Sequence, residues 1–398
     1  MITVSDALAI IARHTPPNPA EPVALAEGRG RVLAKDVVSD TDWPPFETSA
    51  MDGYAVRSSD TARPGSVLVE RTKTVAAGDS PPEPIQPGET VRVMTGAPLP
   101  PGTEAVIPVE RASREGGRVR FEIAPEPGSH LRHRGESIKA GARLLQAGRR
   151  LTPGDIALAA LAGSDPLTVF ARPRVAIAVT GDELVAVGAR PRPGQIRDSN
   201  GPMLLALCGA GAWPASPRGR VGDDASGIEA LFDAAGAGED VLVTSGGVSA
   251  GDFDLLPEIA RRRGFEILFH GVSLRPGKPV VFARRGPTLW FGLPGNPVSS
   301  SVCFHLFVRF ALGRLEGDPS PGAPRVEAEL ARGIASAGKR ETYRDGILSH
   351  SGATLRVEPL ATAGSHDIAA HARANALIRI PAESEPPAAG AIVECLLL

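Results

Sequence analysis

Residues 240–252 read DVLVTSGGVSAGD. The first half is a short apolar run with β-branched Val241 and Val243, and the second is a glycine loop carrying hydroxyls and a carboxylate. A strand that runs directly into such a loop is the repeating unit of a buried parallel sheet, whose loops gather at the strands' C-terminal ends. The unit recurs in RVAIAVTGDELV, residues 174–185, and in TLWFGLPGNP, residues 288–297. Between these lie GPMLLALCGAGA and ASGIEALFDAAG, which read as helices. Residues 172–316 are therefore expected to form an α/β domain with a mainly parallel sheet and its binding chemistry in the loops.

The loop admits two chemistries. Gly247-Val248-Ser249-Ala250-Gly251 fits the G-x-S-x-G elbow of serine hydrolases, and Asp254 and His270 follow in the order of a triad. No HGGG-type oxyanion loop precedes it, and Gly246-Gly247 end the strand early. Alternatively, Gly246, Gly247 and Gly251 turn backbone N–H groups toward one anion, with Thr244, Ser245 and Ser249 adding hydroxyl donors. Asp252 and Asp254 would repel a bare phosphate but suit one bridged by Mg²⁺, while Asp252 could equally cap the following helix. Asp182 and Glu183 in VTGDELV, Asp223 and Asp224 in RVGDDASG, and Arg275 and Lys278 in SLRPGKPVVFA set acids for a metal beside bases for an oxyanion. Neither a Walker A lysine motif nor G-x-G-x-x-G is present.

The chain has 398 residues, 42% hydrophobic and 22% charged, with a formal net charge of -2. That length suits several domains, and nothing in the charge points to nucleic acid or a membrane. Cys208, Cys303 and Cys395 are far apart and fit reduced, buried thiols. The N-terminus has an apolar stretch interrupted by Ser5, Asp6 and Arg13, which reads as a helix from about Ser5 to Ala12 in a cytoplasmic protein. Residues 1–45 and 142–171 are expected to form one helical domain, with TPGDIALAALAGS as its second helix. Residues 46–141 read as a β-rich insert, in which Asp52 and Thr95 occupy turns of SAMDGYAV and RVMTGAPLP. PGNPVSSSVCFHLFVRFALGRLEG reads as a long helix, and residues 325–398 as a small β-domain. His366 and His371 in GSHDIAAHARAN are five apart and lack the spacing of a helical zinc site, so they read as surface or packing residues.

Taken together and in order, SAMDGYAV, RVMTGAPLP, RGES, VTGDELV, TSGGVSAGDFD, RPGKPVVF and FGLPGNPVSS resemble the MoeA family of molybdopterin molybdenumtransferases, related to the C-terminal domain of gephyrin. The resemblance spans essentially the whole chain. It implies a multidomain α/β plus β protein: a helical domain, a β-rich insert, an α/β domain of the molybdopterin-binding type and a C-terminal β-barrel. It further implies a homodimer, with the active cleft between the α/β and barrel domains of one subunit and the insert of the other. The implied reaction binds adenylylated molybdopterin, inserts molybdate at its dithiolene sulfurs and releases AMP with Mg²⁺, after a molybdopterin adenylyltransferase has acted upstream.

By the same resemblance, Asp52, Thr95, Glu183, Asp254 and Lys278 would be catalytic, with Asp52 and Thr95 coming from the partner subunit. Asp223, Asp254 and Glu183 would hold Mg²⁺. Gly246, Gly247, Ser249, Gly251 and Asn296 would bind the pterin nucleotide, and Arg275, Arg340 and Ser365 the oxyanion. Two positions depart from the pattern. Ser137 stands where members commonly carry an aspartate after RGE, and Arg275 where many carry lysine. Arginine keeps the charge and adds a planar fork of donors, which leaves molybdate or tungstate open as the anion. A gephyrin-like scaffold and the adenylylating relative that shares the α/β domain are the alternatives; the insert and the barrel favour the metal-inserting step.

Overall fold

The computed structural model describes residues 1–248, 255–352 and 354–398. The first helix, Val4–His14 (α1), is capped two residues before the expected Ser5: Thr3 accepts from the Asp6 N–H at 3.1 Å and Asp6 reaches back to Thr3, a reciprocal box that Ser5 cannot form. Its apolar stripe, Val4, Ala7 and Ile11, is buried against the α/β core, so α1 does not pack with a helical N-terminal unit.

The remainder of residues 1–45 and 142–171 holds one α-helix, Pro153–Leu161 (α2), where Thr152 and Asp155 form a second capping box ahead of Pro153. Short antiparallel pairs make up most of the rest: Ala20–Val23 with Leu167–Phe170, and Val37–Val38 with Arg143–Leu145. The expectation of a mainly helical unit is thus corrected. Its own core is Leu33, Val37, Leu145, Leu151, Leu167 and Val169, too small to cover the stripe of α1, which finds a larger apolar surface elsewhere. The stretch between these two arms is β-rich as expected, with Gly53–Val56, Val67–Glu70, Glu89–Val93, Ala105–Pro108, Ala112–Glu115 and Arg118–Phe121 in one six-stranded sheet.

The α/β domain runs through Val175–Thr180 (β1), Asn200–Ala210 (α3), Ala215–Val221 (β2), Ala225–Ala234 (α4), Val241–Ser245 (β3), Leu256–Arg262 (α5), Glu266–His270 (β4), Val281–Arg285 (β5) and Thr288–Leu293 (β6). The sheet order is β2-β1-β3-β6-β5-β4, parallel across β2, β1, β3 and β6 and antiparallel beyond. Every residue of β1, β3 and β6 is buried, which is why these strands read as unbroken apolar runs. One face is sealed by Trp290 against Phe232, ring centroids 4.8 Å apart and near-perpendicular, and by Phe265 beside them.

The long helix comprises Pro297–Cys303 (α6), a π-helical turn over Phe304–Val308 and Arg309–Leu315 (α7). It is long and apolar enough to cross a membrane, yet 83% of its apolar window is buried inside the protein, as for a core helix. The C-terminal strands Arg325–Leu330 (β7), Glu341–Ser351 (β8), Thr354–Pro359 (β9), Ala376–Ile380 (β10) and Ile392–Leu397 (β11) close on themselves, β8-β9-β7-β11-β10 and back to β8, as a five-stranded barrel. The three cysteines are free and buried, and burial raises their thiols, Cys208 to about 12 and Cys395 to about 11.

Arg150 ties the small N-terminal core to the end of α7. It pairs with Glu316 and, at 2.8 Å, with Asp318, and donates to the Gly30 carbonyl at 2.8 Å. Burial pushes the Glu316 carboxyl up, with Arg150 pulling it back. Removing one partner of a buried pair strands the other, so Arg150→Ala is expected to cost about 3 kcal/mol of stability, read as a lowered urea midpoint. His305, in the π-helical turn and 4% exposed, has no partner at Nδ1 among the described residues. Its pKa is pushed down to about 4 by burial first, then by Arg309 and His371. The unfolded state therefore takes up the proton first as pH falls from about 6.5 to about 4, and stability is lost through that window. The His305→Gln variant should lose that pH slope, worth on the order of 3 kcal/mol, in urea titrations at pH 7 and pH 4.5.

Candidate active site

The parallel strands deliver their loops to one place. The ends of β1, β3 and β6, with Asp223 after β2, line a cavity of about 460 Å³ whose wall includes Thr180, Glu183, Asn200, Gly246, Gly247 and Asn296. This is the crevice outside the carboxyl edge of an open sheet, where the crossovers leave room for a ligand. Its floor is a buried polar knot. The Asn200 amide donates to Ser245 Oγ at 2.8 Å and to the Gly295 carbonyl at 2.7 Å, while Ser245 Oγ donates to the Pro294 carbonyl at 3.1 Å. The start of α3, the end of β3 and the turn before α6 are locked together by these bonds.

The glycines of the loop serve closeness before they serve donation. Gly246 and Gly247 have φ of +103° and +62°, and a Cβ on Gly246 would stand 2.5 Å from the Thr180 carbonyl. The Gly246 N–H, expected to face an anion, instead extends the sheet by donating to the Leu293 carbonyl at 3.0 Å. Of the expected hydroxyl donors, Ser245 is committed within the knot, and Thr244, which accepts from the Trp290 indole at 3.0 Å, does not line the cavity. A parallel strand must satisfy its last backbone groups internally, which the one-dimensional reading overlooked. What the cavity does present is Thr180 Oγ1, a buried hydroxyl with no partner among the described residues, beside the cradle that a Gly246 side chain would fill.

Ser249, Gly251, Asp252 and Asp254 lie outside the described residues. The hydrolase reading can still be judged by its base: His270 Nε2 lies 3.0 Å from the Val248 carbonyl, which can only accept, so that nitrogen carries the hydrogen. Of the candidate metal ligands, Glu183 and Asp223 line the same cavity. Among the described residues no group of three or more His, Cys, Asp or Glu is placed to hold a metal ion. Asp182 Oδ1 holds the Asp223 N–H at 3.0 Å, and Asp224 caps α4 through the Gly227 N–H at 2.8 Å. The acids of these two adjoining loops thus divide into a positioning residue, Asp182, a cap, Asp224, and a cavity residue, Asp223.

A second cavity, about 730 Å³, adjoins the first between the α/β domain and the barrel. Pro279, Pro294 and Asn296 belong to both walls. Here Arg275, Lys278, Arg340 and Ser365 come together as expected, and the structure adds Arg344 on β8, which no motif had singled out. Asn296 bridges the two domains, its amide donating to Ser365 Oγ at 2.9 Å. Asp52 and Thr95 find each other across 43 residues: the Thr95 N–H and hydroxyl both reach Asp52 Oδ1 at 2.7 Å. Those two bonds hold the Asp52 carboxyl below the usual carboxylate range. The pair sits on the insert and lines neither cavity of its own chain.

Comparison with known proteins agrees along the whole chain. Residues 2–163 match the family described as MoeA N-terminal region (domain I and II), residues 176–314 the probable molybdopterin binding domain, and residues 327–398 the MoeA C-terminal region (domain IV). The chain is 36% identical over 377 residues to molybdopterin molybdenumtransferase 2 of Mycobacterium tuberculosis (strain ATCC 25618 / H37Rv), covering 92% of each. It is 33% identical to the molybdopterin molybdenumtransferase of Bacillus subtilis (strain 168), with all of this chain and 94% of that one aligned. The crystal structure of the molybdopterin biosynthesis MoeA protein from Pyrococcus horikoshii superposes with a TM-score of 0.86 at 29% identity, covering 100% of this chain and 99% of that one.

The knot is the part of the site whose energetics can be isolated. Asn200→Ala removes the amide that donates to Ser245 and to the Gly295 carbonyl, and is expected to cost about 1–3 kcal/mol by urea unfolding. Hydrogen exchange should rise at the turn after β6 and stay unchanged in the barrel.

Proposed function

The chain belongs to the MoeA family, and on that premise we propose that it is a molybdopterin molybdenumtransferase, a transferase of molybdenum cofactor biosynthesis that inserts molybdate into adenylylated molybdopterin and releases AMP. The observation that carries this reading is a single cleft divided by charge. Its glycine-lined half, with Thr180, Gly246 and Gly247, suits a nucleotide's phosphates, and its other half gathers Arg275, Lys278, Arg340 and Arg344. A substrate with a pyrophosphate at one end and a metal-accepting dithiolene at the other spans such a cleft, and molybdate needs the cations and hydrogen-bond donors that any tetrahedral oxyanion needs.

Within the cleft, Asn296 sits where the two halves meet and orients whatever crosses. Arg275 offers a planar donor fork and Lys278 a mobile point charge, a pairing that binds an oxyanion without committing it to one rotation. Ser365 adds a hydroxyl at the barrel side. The oxygen-donor character of Glu183 and Asp223 suits Mg²⁺, with Asp254 as a third ligand; when bound, the ion would supply charge neutralisation to the pyrophosphate being cleaved. The working form is a homodimer in the cytoplasm, in which Asp52 and Thr95 of a second copy close the cleft. In support, Trp43, Phe46 and Met51 leave 45%, 42% and 39% of their surface exposed along the segment leading to Asp52, apolar side chains that a second copy would cover. The substrate comes from a molybdopterin adenylyltransferase upstream.

The decisive experiment follows AMP release from adenylylated molybdopterin by the purified protein, with and without Mg²⁺ and molybdate. Release that requires both is expected, and Lys278→Ala should reduce it by about a hundredfold with the fold intact by circular dichroism. Release independent of molybdate would overturn the metal-insertion reading.

A further inference from the structure

Asp345 is the one carboxylate among the described residues that line the cationic cavity. An acid facing four cations would cancel part of the charge that an oxyanion requires, yet its side chain is only 3% exposed. It is held instead by His371 Nδ1 at 2.7 Å, and His371 Nε2 lies 2.8 Å from Ser301 Oγ. A carboxylate only accepts, so Nδ1 carries the hydrogen and the second nitrogen is left to Ser301. Three elements from two domains converge there: Asp345 from β8, His371 from the short helix after Ser365, and Ser301 from α6.

The connectivity is that of a Ser-His-Asp relay, but Ser301 is 2% exposed in the interior of a helix and offers no space to an acyl group. The relay serves Asp345, not Ser301. Arg340 and Arg344 are on or beside the same strand as Asp345 and line the same cavity, so a carboxylate released into it would add negative charge to the cationic site. We infer that His371 is a positioning residue that holds Asp345 away from the oxyanion cavity and so preserves that cavity's positive charge. The inference rests on the reading of this cavity as the molybdate site.

Two substitutions separate the bonds of His371. The amide of His371→Asn can occupy the place of Nδ1 and keep Asp345, whereas that of His371→Gln occupies the place of Nε2 and keeps only Ser301. Molybdate is titrated calorimetrically into the full chain at fixed pH and ionic strength. His371→Asn is expected to bind within about threefold of the original chain, and His371→Gln about tenfold or more weaker, since one misplaced charge a few ångströms from a dianion has that effect. Adding Asp345→Asn to His371→Gln should restore the affinity, which a merely structural role for His371 would not do. Equal affinities of the Asn and Gln variants, or no recovery in the double variant, would overturn the inference alone. If the original chain fails to bind molybdate, or binds it with no change in Arg275→Ala and Lys278→Ala, the site reading fails and the inference with it.

Discussion

The bonds that Asn200 makes to Ser245 and to the Gly295 carbonyl are the constraint on which the rest of the site depends. They are polar groups in a buried place, where an unmade bond costs more than a made one returns, so the geometry they impose is close to all-or-none. Once the end of β3 and the turn before α6 are joined, Gly246 and Gly247 can approach Thr180, and Asn296 is delivered to the boundary of both cavities. Ser300 adds a second hydroxyl to the knot, donating to Ser245 Oγ at 3.4 Å from the first turn of the helix that carries Ser301 to the barrel.

The same helix explains how domains of different architecture make one cleft. From Pro297 to Leu315 it is the apolar spine of the α/β core, and its two ends meet different partners. At the N-terminal end Ser301 meets His371, and the Val298 N–H meets the Ser365 carbonyl at 3.2 Å; at the other end Glu316 meets Arg150. The cation-lined cavity therefore lies against a fixed element, and Arg275, whose backbone pairs with Thr342 at the start of β8, joins Lys278, Arg340 and Arg344 in its lining. Cations brought so close repel one another, and the cost is lowest when an anion lies among them.

Much of the architecture was legible in the chain because the physics involved is local. Pro153 after Thr152 and before Asp155 determines a helix start, and the all-buried strands β1, β3 and β6 announce themselves as unbroken apolar runs. Where the reading failed, a non-local competitor prevailed. Nothing within residues 1–15 says that the stripe of α1 will pack on the α/β core, since that depends on which apolar surface is larger. Nothing near Gly246 says that its N–H goes to Leu293, a strand away. Arg344 was passed over because it lies inside a strand, outside any loop motif, and His371 because its partners are 26 and 70 residues distant.

The sequence by itself determined the kinds of groups this protein brings to its chemistry: glycine loops after apolar strands, acids in VTGDELV and RVGDDASG, and cations across the RPGKP turn. It could do so because backbone conformation and side-chain charge are properties of a residue and its immediate neighbours. Only the tertiary structure decided which of those groups face the cleft. Asp224 became a cap and Asp223 a wall, Ser245 was spent on the floor, and Asp345 was turned away from the cations it could have neutralised. Those outcomes were set by the requirement that buried polar groups find partners, and the partners come from distant parts of the chain.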